Sequence, residues 1–258
     1  MKVDVKRRNS GTGQIVYVTY DRQDKLNALN SDGIDALSSS FDSLSNDPDV
    51  RAVILTGAGS KAFIGGADIT ELSNLNPQTA KVFISSLHDL FVRVREFPVP
   101  VIAQIEGYAL GAGMELAAAC DLRIGAENAM FGMPEVRVGV PSVIEAALLP
   151  RLIGWGKSNY LVFTGENIDG KTAYDWGFLE QLVSPDRLTE ETDRIADAIA
   201  NSGPFAIRSQ KKLTQQWEVL PLEESIEAGI DSFANAYDTD EPKTMMQPFF
   251  ERKNTKDA

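Results

Sequence analysis

The amino-acid sequence predicts an α/β fold that ends in a helical region. Through the first half of the chain, short apolar runs alternate with segments of helical periodicity, a pattern typical of a parallel sheet with connecting helices. From about Asp186 onwards only helical patterns follow. The length of 258 residues suits one large body with an appendage. We therefore expect an α/β core over residues 1–185 and a helical region over residues 186–258.

The first predicted elements alternate between strand and helix. Residues 16–20 form an apolar strand, and Ser31 is a candidate N-cap for the next helix. One face of that helix is apolar at spacings of three and four residues, through Ile34, Leu37, Phe41 and Leu44. Residues 53–56 predict a buried strand that ends at Gly57.

The remaining elements follow the same logic. Pro77 suits a first helical turn, and the amphipathic helix that it begins ends before Pro98. Strands are predicted at residues 99–105 and 122–125, with a helix of small residues at 111–119 between them. The C-terminal helices are predicted at residues 186–200, 204–216 and 222–236.

Composition excludes several classes of function. The formal net charge of −12 disfavours broad nucleic-acid binding. The single cysteine, Cys120, and the single histidine, His88, cannot supply a four-ligand Cys/His zinc site or an intrachain disulfide. The most apolar stretch, residues 98–119, contains two glutamates and a glutamine, which argues against a membrane span. Because no signal-like apolar run begins the sequence, we expect a cytoplasmic protein. Because no Cys/His zinc site can form, we also expect no metal.

Three glycine-rich turns follow apolar runs. Residues 57–62 fit the pattern G-x-G-x-x-A, but the glycine pair at 65–66 is poor for the helix that a dinucleotide site requires. Dinucleotide binding therefore remains a minor alternative to a simple turn. The turns at residues 65–69 and 107–115 permit close backbone approach. Two N–H groups from such turns can bind one carbonyl oxygen as an oxyanion hole.

Two glutamates lie next to these turns. Glu115 is surrounded in sequence by apolar residues, and Glu135 follows a rigid proline. A buried carboxyl group is costly unless it is paired or used in chemistry. His88 lies in a long helix and is more typical of a partly exposed helix residue than of a catalytic base, while Cys120 is typical of a small core residue.

Taken together, these motifs resemble the crotonase superfamily, and specifically its enoyl-CoA hydratases. The resemblance covers nearly the whole chain. It depends on residues 24–29, 61–69, 107–121 and 131–135, with support from residues 150–154, 164–166 and 173–177. The resemblance implies a crotonase-like spiral of ββα units with a C-terminal helical region that covers the active site and makes trimer contacts.

The same resemblance assigns roles to individual residues. It implies backbone oxyanion donors at Ala67 and Ala112, and catalytic carboxyl groups at Glu115 and Glu135. Binding of coenzyme A and substrate is assigned to Lys25, Leu26, Gly65, Asp68, Ile69 and Arg252. No cofactor is expected apart from the coenzyme A of the substrate, and the expected assembly is a homotrimer or homohexamer without nucleic acid or membrane.

The expected activity is reversible addition of water to a 2-enoyl-CoA. Both glutamates are present, which favours a hydratase because many isomerase and hydrolase relatives lack one of them. An enoyl-CoA isomerase, another reaction of the superfamily, or a catalytically idle CoA-binding protein remain the alternatives. An idle protein would be expected to lose Glu115 or Glu135, and neither is lost.

One segment departs from the family pattern. Residues 141–149, which begin at Pro141, stand where the family usually has a glycine-rich loop. The loop before Pro141 is one residue shorter than in the family pattern. Pro141, Ile144 and Glu145 are therefore candidate residues of a reshaped acyl pocket. The alternative is that Glu145 faces solvent or a basic partner such as Arg151.

Overall fold

A computed structural model describes residues 2–254 of the chain, with side chains described over residues 2–248. Its strands are β1 (Lys2–Ser10), β2 (Gly13–Asp21), β3 (Val50–Gly57), β4 (Ala62–Ile64), β5 (Val101–Ile105), β6 (Tyr108–Leu110), β7 (Leu122–Ala126), β8 (Met130–Gly132), β9 (Asn167–Asp169) and β10 (Gln181–Val183).

The helices alternate with these strands and then follow them. They are α1 (Ser31–Ser45), α2 (Ile69–Leu72), α3 (Pro77–Arg95), α4 (Ala112–Ala119), α5 (Leu149–Ile153), α6 (Trp155–Thr164), α7 (Gly170–Asp175), α8 (Leu188–Ala200), α9 (Pro204–Trp217), α10 (Leu222–Ala236) and α11 (Glu241–Asn254). Short 3-10 turns occur at Gln23–Lys25, Pro134–Val138, Ile144–Leu148 and Pro185–Arg187.

The strands form two sheets. The larger sheet has the order β1-β2-β3-β5-β7-β10 and is parallel apart from the β1–β2 pair. The smaller sheet has the order β4-β6-β8-β9, in which only β8 and β9 are antiparallel. Three times, a strand of the larger sheet is followed by a strand of the smaller sheet and then by a helix or 3-10 turn. This repeat confirms the expected ββα order.

Both faces of the larger sheet are buried. Along β3, Val53 and Leu55 belong to the main core under α1 and α3, whereas Ile54 belongs to a second core with α8. Alternate residues of a strand point to opposite faces, so one continuous apolar run serves both cores. Helix α8 supplies Leu188 and Ala196 to the second core, and therefore the first helix after residue 185 packs directly on the sheet.

The observed elements differ from the predicted ones in places. Asn30, and not Ser31, caps α1, because its side-chain oxygen accepts the Gly33 N–H at 3.1 Å. The segment 57–62 joins β3 to β4 without starting a helix, so it lacks the geometry of a dinucleotide site. No helix within residues 2–254 is long and apolar enough to cross a membrane.

Candidate active site

A cavity of about 850 Å³ lies at the carboxyl ends of β4, β6 and β8. These strands are parallel neighbours, so the segments that leave their carboxyl ends arrive at the same edge of the sheet. Gly65–Ala67 leave β4, Gly111 and Ala112 leave β6, and Glu135 follows β8. The topology thus brings three segments that are distant in sequence to one cavity.

Ala67 presents a free backbone N–H at this cavity. Leu29 forms a parallel bridge to Ala67, in which the Leu29 N–H donates to the Gly66 carbonyl and its carbonyl accepts the Asp68 N–H, each at 2.8 Å. This pairing uses the two residues that flank Ala67. The Ala67 N–H itself donates to no acceptor within the described chain, and Ala67 lines the cavity.

Ala112 presents a second free N–H. It is the first residue of α4, and the initial N–H groups of a helix have no acceptor within the helix. Gly111 precedes it with a φ of +50°, and the Gly111 N–H donates to the Gly132 carbonyl at 2.8 Å. Over residues 2–254 no acceptor pairs with the Ala112 N–H. Ala67 and Ala112 therefore bring two unpaired donors to one cavity, as an oxyanion hole requires.

Glu115 lies one helical turn after Ala112, on the same face of α4. The residue is 3% exposed, yet it lines the cavity. Its Oε1 accepts the Ala146 N–H at 3.2 Å. Burial raises the pKa of the Glu115 carboxyl well above its usual range, and the nearby Glu135 and Glu145 carboxyls raise it further.

Glu135 approaches the same cavity from the 3-10 turn Pro134–Val138. The Ser142 hydroxyl donates to its Oε2 at 2.7 Å. Burial raises the pKa of the Glu135 carboxyl, although the Ser142 hydrogen bond opposes this shift. Burial shifts both carboxyl groups towards the protonated form, and two neighbouring carboxyl groups can share one proton, which suits acid and base work at one site.

Gly111 allows Glu135 to reach the cavity. A Cβ atom at position 111 would lie 2.4 Å from Glu135 Oε1. The positive φ of Gly111 also disfavours any L side chain. Glycine at this position thus serves both the start of α4 and the placement of a carboxyl group.

Gly111→Ala should lower kcat while binding of acyl-CoA is retained. Either Glu135 or the start of α4 must move to admit the methyl group, and a displacement of about 1 Å at a reacting group costs about 10²-fold in rate. Steady-state kinetics of the purified variant measure this loss. Gly154→Ala is the matched control, because Gly154 also has a positive φ of 83° but its Cβ would meet nothing within 4 Å. Equal kcat values in both variants would contradict this account of Gly111.

Glu145 is neither solvent-exposed nor paired with Arg151. The residue is 4% exposed, and its Oε1 lies 2.8 Å from Nδ1 of His88. Arg151 instead donates to the Glu218 carbonyl at 3.1 Å. The expectation that Glu145 faces solvent or Arg151 is therefore wrong, and its basic partner is His88, because the turn Ile144–Leu148 packs between α3 and α4 and turns this side chain inward.

The segment 141–149, which differs from the family pattern, contributes only some of its residues to the cavity. Pro141 and Val143 line it, whereas Ile144 and Glu145 are not among its lining residues. His88 is half-exposed, as expected, but its contact with a buried carboxyl was not foreseen. The two residues are 57 positions apart, and no local pattern links them.

Apart from Asp68, the residues assigned to coenzyme A binding divide into three groups. Gly65 and Ile69 line the cavity, and the Gly65 N–H donates to the Leu26 carbonyl at 2.9 Å, which places Leu26 beside that turn. Lys25 and Leu26 are exposed next to the cavity but do not line it. Arg252 lies outside the residues whose side chains are described.

Asp68 is occupied by structural contacts. Its carboxylate caps α2 by accepting the Thr70 N–H at 2.8 Å, and it pairs with Arg22 at 2.6 Å. Burial raises the pKa of this carboxyl, but the Arg22 contact and the capping hydrogen bonds outweigh it and leave the pKa lowered. The structure therefore does not bring the Asp68 side chain to the cavity.

The outer wall of the cavity is apolar, and Ile69 is the one residue of this wall that the sequence assigned to the site. It is formed by α2, α3 and the segment between them, through Ile69, Leu72, Leu75, Phe83, Ile84 and Leu87. Periodicity predicted that Phe83 and Leu87 face the interior, but it could not show that this part of the interior is a cavity. An apolar wall beside two carboxyl groups and two N–H donors is suited to a hydrophobic chain attached to a polarised carbonyl.

Comparisons with known proteins agree with this arrangement. A family model described as Enoyl-CoA hydratase/isomerase matches residues 10–256. The chain is 35% identical to the short-chain-enoyl-CoA hydratase of Clostridium acetobutylicum over 242 residues, which cover 93% of each protein. It is 33% identical to the crotonyl-CoA hydratase of Syntrophomonas wolfei, with coverage of 93% of this chain and 92% of that protein.

A solved structure shows the same similarity. The crystal structure of an enoyl-CoA hydratase from Bacillus anthracis matches with a TM-score of 0.93 and 31% sequence identity. The match covers 98% of this chain and 97% of that chain.

Proposed function

The chain belongs to the enoyl-CoA hydratase/isomerase family, and from this premise we propose that it adds water reversibly across the 2,3-double bond of a 2-enoyl-CoA. The observation that carries the proposal is the pair Glu115 and Glu135, two carboxyl groups that line a cavity with two free N–H donors. Relatives named as hydratases over most of the chain support an enzyme of this kind.

The proposed role of Ala67 and Ala112 is to bind the thioester oxygen. Their N–H groups would polarise the carbonyl, so that electron density moves from the C2=C3 double bond towards the oxygen as an enolate forms. The donors are already in place before the reaction, and each donor of this kind contributes about 3–4 kcal/mol to the transition state. The C–S bond of the thioester stays intact throughout.

The two glutamates would manage the protons. One ionised carboxyl takes a proton from water while the water oxygen forms its bond to C3. The other carboxyl, which is protonated, gives its proton to C2, and the enolate electron pair forms the new C–H bond. The sum is addition of one water molecule, and the pair holds one proton before and after. These steps require no metal or redox cofactor.

The substrate would lie along the cavity with its acyl chain against the apolar wall. The coenzyme A portion would pass the turn at Gly65 and the exposed residues Lys25 and Leu26. The relatives are named for short-chain and crotonyl thioesters. Chain length is therefore the property that a substrate series must define.

A spectrophotometric assay tests the proposal. Loss of enoyl-thioester absorbance with crotonyl-CoA and longer 2-enoyl-CoAs is the expected result. An isomerase would instead leave 2-enoyl-CoA unchanged and generate the same absorbance from a 3-enoyl-CoA. Binding of these thioesters without any change to them would identify a CoA-binding protein and refute the proposed hydratase activity.

We also propose that the chain assembles as a homotrimer or homohexamer. Helix α10 carries an exposed apolar stripe at spacings of three and four residues, formed by Leu222, Ile226, Ile230, Phe233 and Tyr237. Exposed apolar stripes of this kind mark interfaces between proteins. The stripe has no cover within residues 2–248, whose side chains are described.

Light scattering at micromolar concentration should give a mass of three or six times the 28.2 kDa of one chain. Ile230→Glu with Phe233→Glu should reduce that mass, because burying an unpaired carboxylate costs several kcal/mol. The control is Glu227→Gln with Asp231→Asn on the same helix, which should leave the assembly intact. A wild-type protein of monomer mass would contradict the proposal.

A further inference from the structure

Glu145 lies directly behind Glu115. It belongs to the 3-10 turn Ile144–Leu148, which packs against α4 on one side and α3 on the other. The next residue, Ala146, donates its N–H to Glu115 Oε1 at 3.2 Å. Glu145 itself is bound by His88 on α3, with 2.8 Å between Nδ1 and Oε1. One short turn thus connects the carboxyl group at the cavity to a half-exposed histidine.

The second oxygen of Glu145 is buried and unsatisfied. Its Oε2 has no hydrogen-bond partner among the residues that the structure describes. A buried polar atom without a partner is destabilising, and most such atoms in native proteins are satisfied. Leucine, which has no polar side-chain atom, would fill a similar volume without this cost, so the carboxyl group at position 145 calls for a functional reason.

The backbone beside Glu145 is strained as well. Ile144 has a φ of +40°, in the left-handed region that β-branched residues avoid. Such a conformation is strained and persists only where surrounding contacts enforce it. The contacts on either side are the His88–Glu145 hydrogen bond and the Ala146–Glu115 hydrogen bond. The first contact anchors the strained turn to α3, and the second anchors it to Glu115 at the cavity.

We propose that Glu145, anchored by His88, is a positioning residue that holds Glu115 in place and controls how readily Glu115 takes up a proton. The proposal deepens the proposed hydratase function, on which it rests, because it assigns a role to a third carboxyl group that does not line the cavity. Glu145 acts through Glu115 and does not touch the substrate.

The charges around Glu145 and Glu115 determine in which direction Glu145 shifts the pKa of Glu115. Glu145 faces His88 and Arg95 from α3 and Glu115 from α4, while Arg151 on α5 is bonded elsewhere. Glu115 also faces Glu135 across the cavity. An ionised Glu145 repels an ionised Glu115, so the Glu145 carboxyl raises the pKa of Glu115. Removal of that charge must lower the pKa of Glu115.

Glu145→Gln tests the proposal, since it keeps the size of the side chain and removes its charge. In the ligand-free variant, ¹³C NMR of labelled carboxyl groups should show Glu115 titrating at lower pH than in the wild type. The limb of the kcat–pH profile that Glu115 controls should move in the same direction, with KM changed less than about twofold. A purely structural role would lower the melting temperature and leave both titrations in place.

Two further variants complete the experiment. His88→Ala, at the half-exposed end of the pair, removes the donor that favours ionised Glu145, and we expect the Glu115 titration to move to lower pH here too. Asp89→Asn removes one negative charge from the exposed neighbour of His88 and should change neither titration. An unchanged Glu115 titration in both Glu145→Gln and His88→Ala would overturn the proposal. The NMR titration needs no substrate and therefore tests the role of Glu145 by itself. Absence of hydration activity in the wild-type enzyme would refute the proposed function and not this titration result.

Discussion

Glu115→Gln and Glu135→Gln should each lower kcat by about 10²–10⁴-fold, the usual contribution of general acid–base groups. Glutamine has nearly the same shape as glutamate and can neither take a proton from water nor supply one to C2. The acyl-CoA should still bind, because the apolar wall and the N–H donors remain. Steady-state kinetics with the best thioester of the series, together with calorimetric binding of the product, measure the two effects.

The double variant distinguishes a cooperating pair from two independent groups. Glu115 and Glu135 act on one water in the proposed mechanism, so loss of either stops the same step. The double variant should therefore lose much less than the product of the single losses. Glu127→Gln is the matched control, since Glu127 is exposed on the β7–β8 connection. Near-native hydration by either single variant would remove that glutamate from the mechanism.

Ala112→Pro should lower kcat by about 10²–10³-fold, the typical cost of losing one oxyanion donor. The first position of a helix tolerates proline well, because its N–H has no partner within the helix. The substitution therefore removes the donor while α4 keeps its hydrogen bonds. A melting temperature close to that of the wild type would verify the fold.

Two comparisons isolate the N–H group as the cause. Ala112→Gly keeps the donor and should retain most of the activity, since the proposed role of Ala112 uses only its backbone. Free coenzyme A has no thioester oxygen, so its affinity should be similar in Ala112→Pro and in the wild type. A folded Ala112→Pro enzyme with native kcat would exclude Ala112 from the oxyanion hole.

Long elements with strong periodicity were predictable from sequence. Helix α3 begins at Pro77, and α10 spans Leu222–Ala236, as its apolar spacing predicted. The strands of the smaller sheet were missed, because β4, β6, β8 and β9 have three residues each and so carry no period. Strand β1 was missed for another reason. It is an edge strand with many polar residues, paired only with β2.

Site residues were predictable where a local motif carries the chemistry. Ala67 and Ala112 follow glycines that release backbone N–H groups, and Glu115 stands out as a carboxyl within a run of small apolar residues. Asp68 was assigned to ligand binding by its motif, and in the structure its side chain caps α2 and pairs with Arg22. A motif shows that a residue type is needed, but it does not show which neighbour the side chain contacts.

The sequence by itself determined the long strands and helices of the α/β body, the helical end, and the glycine-rich turns and glutamates of the candidate site, because these depend on local spacing and backbone conformation. Only the tertiary structure decided which of them meet. Parallel pairing of β4, β6 and β8 brings three distant turns to one cavity, and packing between α3 and α4 buries Glu145 against His88. Such contacts depend on strand order and helix packing between residues that are far apart in sequence, 57 positions in the case of His88 and Glu145, and no local period encodes them.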